Sequence, residues 1–145
     1  MVARPHRRRA GVLALTVRWI VDGNNVFGSR PDGWWNDRER AATRFAQEVA
    51  VWCRTHADEV TVVFDAPVSH ATLELAGGNL AVVEAPRRGR DAADDHIVDM
   101  VTAELADDAP PTRMVVVTSD RGLRRRLPDG VELGGAGRFL TALGG

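Results

Sequence analysis

The sequence predicts an α/β fold, a three-layer sandwich with a mainly parallel central sheet, on two observations. Short apolar runs rich in β-branched residues alternate along the chain with longer stretches whose apolar residues recur at helical spacing. Residues 114–118 make a continuous apolar run instead of alternating with polar residues, the pattern of strands in a sheet covered by helices on both faces. Sheets of this kind take their ligands in the crevice beyond the carboxyl ends of the strands.

The elements follow in order. Residues 17–21 form a short apolar run stopped by Asp22-Gly23-Asn24-Asn25, and read as a buried strand. A loop rich in Gly, Pro and Trp comes next. Asn36 or Asp37 can cap a helix reaching about His56, with Phe45, Val49, Trp52 and Cys53 as its core stripe. Residues 60–64 are a second strand, closed by Asp65-Ala66-Pro67. After an indistinct stretch, Ala76-Gly77-Gly78-Asn79 reads as a turn and residues 80–83 as a third strand. A basic loop, Arg87-Arg88-Gly89-Arg90, leads to a helix over 91–105 with Ile97, Val101 and Leu105 facing inward and acids in its first turn, where the macrodipole favours them. Residues 107–111 break that helix. Residues 114–118 are the clearest strand and end in Ser119-Asp120; a helical turn over 121–127, a weak strand over 131–133 and a last helix over 139–143 complete the chain.

At 145 residues the chain has the size of one domain, and 44% apolar with 27% charged residues is an ordinary globular balance. The expected organisation is a flexible basic N-terminal tail over 1–16 and one domain over 17–145. Arg7-Arg8-Arg9 and the apolar residues after it resemble a signal peptide only superficially, being short and without a small-residue cleavage site. No stretch approaches the roughly 20 apolar residues that span a membrane. The single cysteine, Cys53, excludes an internal disulfide, no cysteine and histidine cluster has zinc spacing, and a reducing cytoplasm is the expected location. Net charge is −1 and every one of the 19 cations is arginine, so nucleic acid would have to be held by local patches and not by the global field.

Asp22, Asp65 and Asp120 each stand directly after an apolar strand, and Asp91, Asp94 and Asp95 open a helix. Each alone has an ordinary explanation as a turn or cap residue. Together, at one rim of a parallel sheet, they would repel one another unless a cation neutralised them. Hard oxygen ligands without sulfur or imidazole suit Mg²⁺ or Mn²⁺.

Four segments, Trp19-Ile20-Val21-Asp22-Gly23-Asn24-Asn25, Val62-Val63-Phe64-Asp65, Gly89 to Ile97, and Val116-Val117-Thr118-Ser119-Asp120-Arg121, together resemble the NYN domain in its YacP-like branch, over about residues 17–143. The resemblance implies a PIN-like nuclease fold and Mg²⁺- or Mn²⁺-dependent endoribonuclease activity. It implies Asp22, Asp94 and Asp120 as metal ligands, with Asp65, Asp91 or Asp95 as conditional ones. It also gives Asn25, beside the first acid, a role in supporting the site or the substrate. Asp95 stands where the family usually has a small or neutral residue, and Asp99 reads as solvated helix surface.

The expected substrate is single-stranded or looped RNA, with the ribosome as a candidate partner. The expected chemistry is hydrolysis of a phosphodiester by an activated water. Arg87, Arg88, Arg90 and Arg121 flank the proposed ligands and are the expected RNA-binding residues, with the run Arg124-Arg125-Arg126 and the tail arginines as further cations. Trp34 and Trp35 could stack on bases or pack in the loop, and His70 and His96 read as structural. A response-regulator receiver and a Walker A loop are both excluded by the absence of lysine. Gly134-Gly135-Ala136-Gly137 leaves too little chain after it for a dinucleotide-binding unit. The competing reading is a non-catalytic RNA-binding or adaptor protein of the same fold; DNA cleavage is a third.

Overall fold

Residues 16–65, 67–86, 89 and 91–144 are described by a computed structural model; the tail expected over 1–16 lies outside them except for Thr16, as do Arg87, Arg88 and Arg90. Five parallel strands make the sheet: β1 (Arg18–Asp22), β2 (Glu59–Phe64), β3 (Leu80–Glu84), β4 (Met114–Val117) and β5 (Glu132–Gly134), in the order β3-β2-β1-β4-β5. Around them run α1 (Gly23–Gly28), α2 (Arg38–Cys53), α3 (His70–Leu73), α4 (Ala92–Leu105), α5 (Arg121–Arg126) and α6 (Ala136–Gly144). Each expected strand is found, and the sheet is parallel throughout.

Alternation along each strand divides the core into two layers. On one face, Val26 and Phe27 of α1, Phe45 and Val49 of α2 and Phe139 of α6 pack against Val21, Val62, Phe64 and Val117. On the other, Ala93, Ile97 and Val101 of α4 and Leu123 of α5 pack against Ile20, Val63, Met114 and Val116. Side chains start several of the helices. Asp37 accepts from the Arg40 amide (3.0 Å), Ser69 from Thr72 (3.2 Å) and Asp120 from Leu123 (3.0 Å). Asp91 precedes α4 without making such a bond, against its expected reading as a cap.

Two helices were not expected. The sequence of α1, Gly-Asn-Asn-Val-Phe-Gly, is poor in helix formers and reads as loop. It is helical because Val26 and Phe27 are buried against the sheet, so packing decides what propensity does not. Gly23 permits this: a Cβ there would lie 2.8 Å from Phe64 Cε1, closer than side-chain carbons approach. The second, α3, is a single capped turn that local periodicity cannot reveal.

Strand order reverses between β1 and β4, which places a crevice at the carboxyl ends of those two strands. Register aligns Asp22 with Val63 of β2, and Val21 with Val117 of β4, so the chain just past Val117 lies beside Asp22. At the opposite end of β1 the Arg18 guanidinium binds Glu104 of α4 (2.8 Å) and the Thr61 hydroxyl of β2 (2.9 Å), fixing the strand against both neighbours.

Candidate functional site

The apolar run of β1 carries its terminal residue with it, so Asp22 is only 5% exposed. One carboxylate oxygen, Oδ2, accepts from the hydroxyl of the buried Thr118 (2.9 Å). Thr118 Oγ1 in turn accepts from the Asp120 amide (3.1 Å), so one hydroxyl ties the end of β1 to the turn that begins α5. The second oxygen of Asp22 has no hydrogen-bond partner among the described residues. Burial pushes the Asp22 carboxyl up to about 7; the Thr118 hydrogen bond opposes this, and the charges of Asp94, Asp120 and Asp65 add to it.

Asp94, in the first turn of α4, is pushed up to about 6, chiefly by burial and then by Asp120 and Asp91, with Arg126 opposing. Asp65 is raised by burial and lowered by the Arg38 guanidinium. Asp65, Asp94 and Asp120 thus share one rim with Asp22 and act on its ionisation. The remaining acids of α4 do not join them equally. Asp95 is engaged by Arg126 (2.7 Å), and Asp91 and Asp99 are exposed. Asp120 faces two demands, since its Oδ1 caps α5. As the side chains lie, no three His, Cys, Asp or Glu among the described residues stand close enough to grip an ion.

Two adjacent asparagines order the rim. Asn24 Oδ1 accepts from the Asp65 amide (2.8 Å), and Asn25 Oδ1 from the Ser119 amide (2.8 Å). From the first turn after β1 they therefore reach the loops that follow β2 and β4. Asn25 was expected to support the site; Asn24, Thr118 and Ser119 were not expected, although the paired asparagines and the Thr-Ser-Asp stretch were the available signals. At the two asparagines opens a concavity of about 310 Å³, lined by Asn24, Asn25, Gly28, Ser29, Trp34 and Ser119. Trp34 is held edge-on by Phe27 at 5.9 Å and carries the Arg38 guanidinium 5.2 Å from its ring centroid. Trp35 is exposed.

The arginine run after Asp120 separates into distinct roles. Arg124 Nε donates to the Thr118 carbonyl (2.9 Å) and Arg126 to Asp95, whereas Arg121 and Arg125 are exposed. Of the two histidines read as structural, His70 is exposed beside Glu74 (3.2 Å). Among the described residues no helix is long and apolar enough to cross a membrane.

No protein-family model matches the chain, and no curated protein matches it significantly. Among solved structures it is similar to crystal structures of Rae1 (YacP) from Bacillus subtilis. With a mutant of that protein the TM-score is 0.68 at 25% identity, over 89% of this chain and 76% of the other. With Rae1 lacking that mutation it is 0.64 at 24% identity, over 87% and 72%. The resemblance to the YacP-like branch and the PIN-like nuclease fold expected from the sequence are borne out by this likeness.

Proposed function

We propose that the protein is a divalent-metal-dependent endoribonuclease, with Asp22, Asp94 and Asp120 as the residues that would hold Mg²⁺ or Mn²⁺ and single-stranded or looped RNA as substrate. One observation carries the reading: a buried carboxylate, Asp22, stands at the strand-order switch point with one oxygen unpartnered and three further acids acting on it. Ionised, such a group calls for a compensating partner, and hard oxygen donors suit these cations. The likeness to YacP supports the nuclease class.

Bound there, the cation would supply charge for the phosphoryl oxygens and a lowered pKa for a water. The chain's own residues do the positioning. Thr118 fixes one oxygen of Asp22 and leaves the other free, while Asn24 and Asn25 set the loops carrying Asp65 and Asp120. Arg121 and Arg125 offer guanidinium groups to phosphates on the Asp120 side of the rim; Arg87, Arg88 and Arg90 are candidates for the other side on sequence position alone. Asp65 is retained as a conditional ligand. Asp91 is a weaker one, being exposed, as is Asp95, being paired with Arg126.

The reading that the chain binds RNA without cutting it is favoured by a single observation: Asp120 caps α5, and no three acids converge as the side chains lie. One experiment separates the two. Purified protein should cut an unstructured RNA with Mn²⁺ or Mg²⁺ and stop with chelator, and Asp22→Asn or Asp120→Asn should lower the rate by at least about 100-fold at unchanged circular dichroism. Wild-type rates in both variants would refute the site, and binding without any cleavage would establish the non-catalytic reading.

A further inference from the structure

We propose that the concavity lined by Asn24, Asn25 and Ser119 is a nucleobase subsite that reads an unpaired guanine on its O6/N7 edge in preference to adenine. The inference rests on RNA being the ligand and specifies which base is held next to the acidic rim. The concavity is open to solvent, and its space of about 310 Å³ is enough to seat one small planar group. Trp34 gives it an aromatic wall, packed edge-on by Phe27 and carrying the Arg38 guanidinium over its ring. Unpaired bases stack on such walls whatever their identity, so discrimination has to come from the polar lining.

That lining is mostly made of donors. Both asparagine oxygens are committed to backbone amides, Asn24 to Asp65 and Asn25 to Ser119. Because a backbone N–H can only donate, the oxygen of each carboxamide must face it, and the orientation of both groups is settled. What remains of each is an NH₂ group with no protein partner among the described residues and one further lone pair on the oxygen. Ser119 Oγ accepts from the Ala136 amide, so its proton is free to donate. Ser29 differs: it gives its own proton to the Val26 carbonyl and keeps only acceptor capacity.

An asparagine normally recognises adenine by using both halves of the carboxamide, accepting from N6 and donating to N7. Here one lone pair of each asparagine oxygen is already taken by a backbone amide, while both NH₂ groups are unused. Adenine's N6 amino group would compete with those amides for the same oxygens, whereas guanine presents two adjacent acceptors, O6 and N7, to the unused donors.

The test is a binding measurement in chelator, where no cleavage occurs. Fluorescence anisotropy compares a labelled all-adenine RNA of nine residues, a length on the order of one single-strand binding site, with the same RNA carrying one central guanine. The wild type should bind the guanine oligomer at least about tenfold more tightly. Asn24→Asp and Asn25→Asp keep an oxygen for the Asp65 and Ser119 amides while removing the donors, and each should bring the ratio of the two affinities towards one. Trp34→Leu should weaken both oligomers alike and preserve the ratio. Equal affinities in the wild type, no binding of either oligomer, or a ratio unchanged in both Asn variants would overturn the proposal. A guanine preference in a protein that never cuts RNA would leave the subsite standing and remove the enzyme. Cleavage with Mn²⁺ but without preference would do the reverse.

Discussion

Asp22 shows how a single residue links the fold to its proposed chemistry. Unfolded, its carboxyl ionises near 3.8; folded, near about 7. Below the lower value both states hold the proton and the difference has no effect. As pH climbs toward 7 the unfolded chain ionises first, and the fold loses stability on the order of 2–4 kcal/mol by neutral pH. Asp22→Asn keeps an oxygen for the Thr118 hydroxyl and removes the ionisation. In chelator the variant should therefore be more stable than wild type by about 1–3 kcal/mol at pH 7.5, the gap closing toward pH 4, as read by urea titration. A variant less stable than wild type at pH 7.5 would refute the buried-charge account. Legibility differed residue by residue. An aspartate after an apolar run was visible in sequence, because polarity changes there abruptly. Thr118 was not, because a β-branched residue at a strand end reads as more strand, and only the third dimension shows its hydroxyl between Asp22 and Asp120.

At the scale of elements, periodicity carried α2 and α4, whose buried residues recur along one face, and it failed for α1 and α3, which are too short to show a period. The helicity of α1 comes from contacts distant in sequence, and α3 is a single turn held by its Ser69 cap. The same limit applies to α5, read as a turn with a basic surface. Its arginines are chemically identical in sequence but divide in the fold between structural and exposed positions. Arg121→Ala combined with Arg125→Ala should leave thermal stability unchanged within about 0.5 kcal/mol and reduce the slope of log affinity for RNA against log salt by about 1–2. An unaltered slope would return both residues to plain solvated surface. Arg124→Ala belongs to another class, since it frees the Thr118 carbonyl and loosens the end of β4.

For the whole molecule, the alternation of strands and helices was enough to announce a parallel three-layer sheet, but not its strand order. Nothing local records that β1 lies between β2 and β4, because that neighbour relation is settled by which apolar faces fit across the sheet. Parallel pairing of distant segments also makes folding depend on late, long-range contacts. A chain stopped at residue 110, before β4, would leave one side of β1 bare, with its carbonyls and amides unpaired and Ile20 uncovered by Met114 and Val116. Such a fragment should be insoluble or lack native circular dichroism, and a soluble, cooperatively unfolding fragment would show that β4 is not required to complete the core.

The bond between Asp22 and Thr118 joins residues 96 apart. During synthesis the first half of that pair therefore waits for the second, on the order of 5–20 s at ordinary elongation rates. Throughout that interval the growing polypeptide has some of the acids but not the rim, and under the proposed activity it cannot cut the message from which it is being made. The central place of β1 in the sheet is thus also a clock: it withholds the assembled site until nearly the whole domain has left the ribosome.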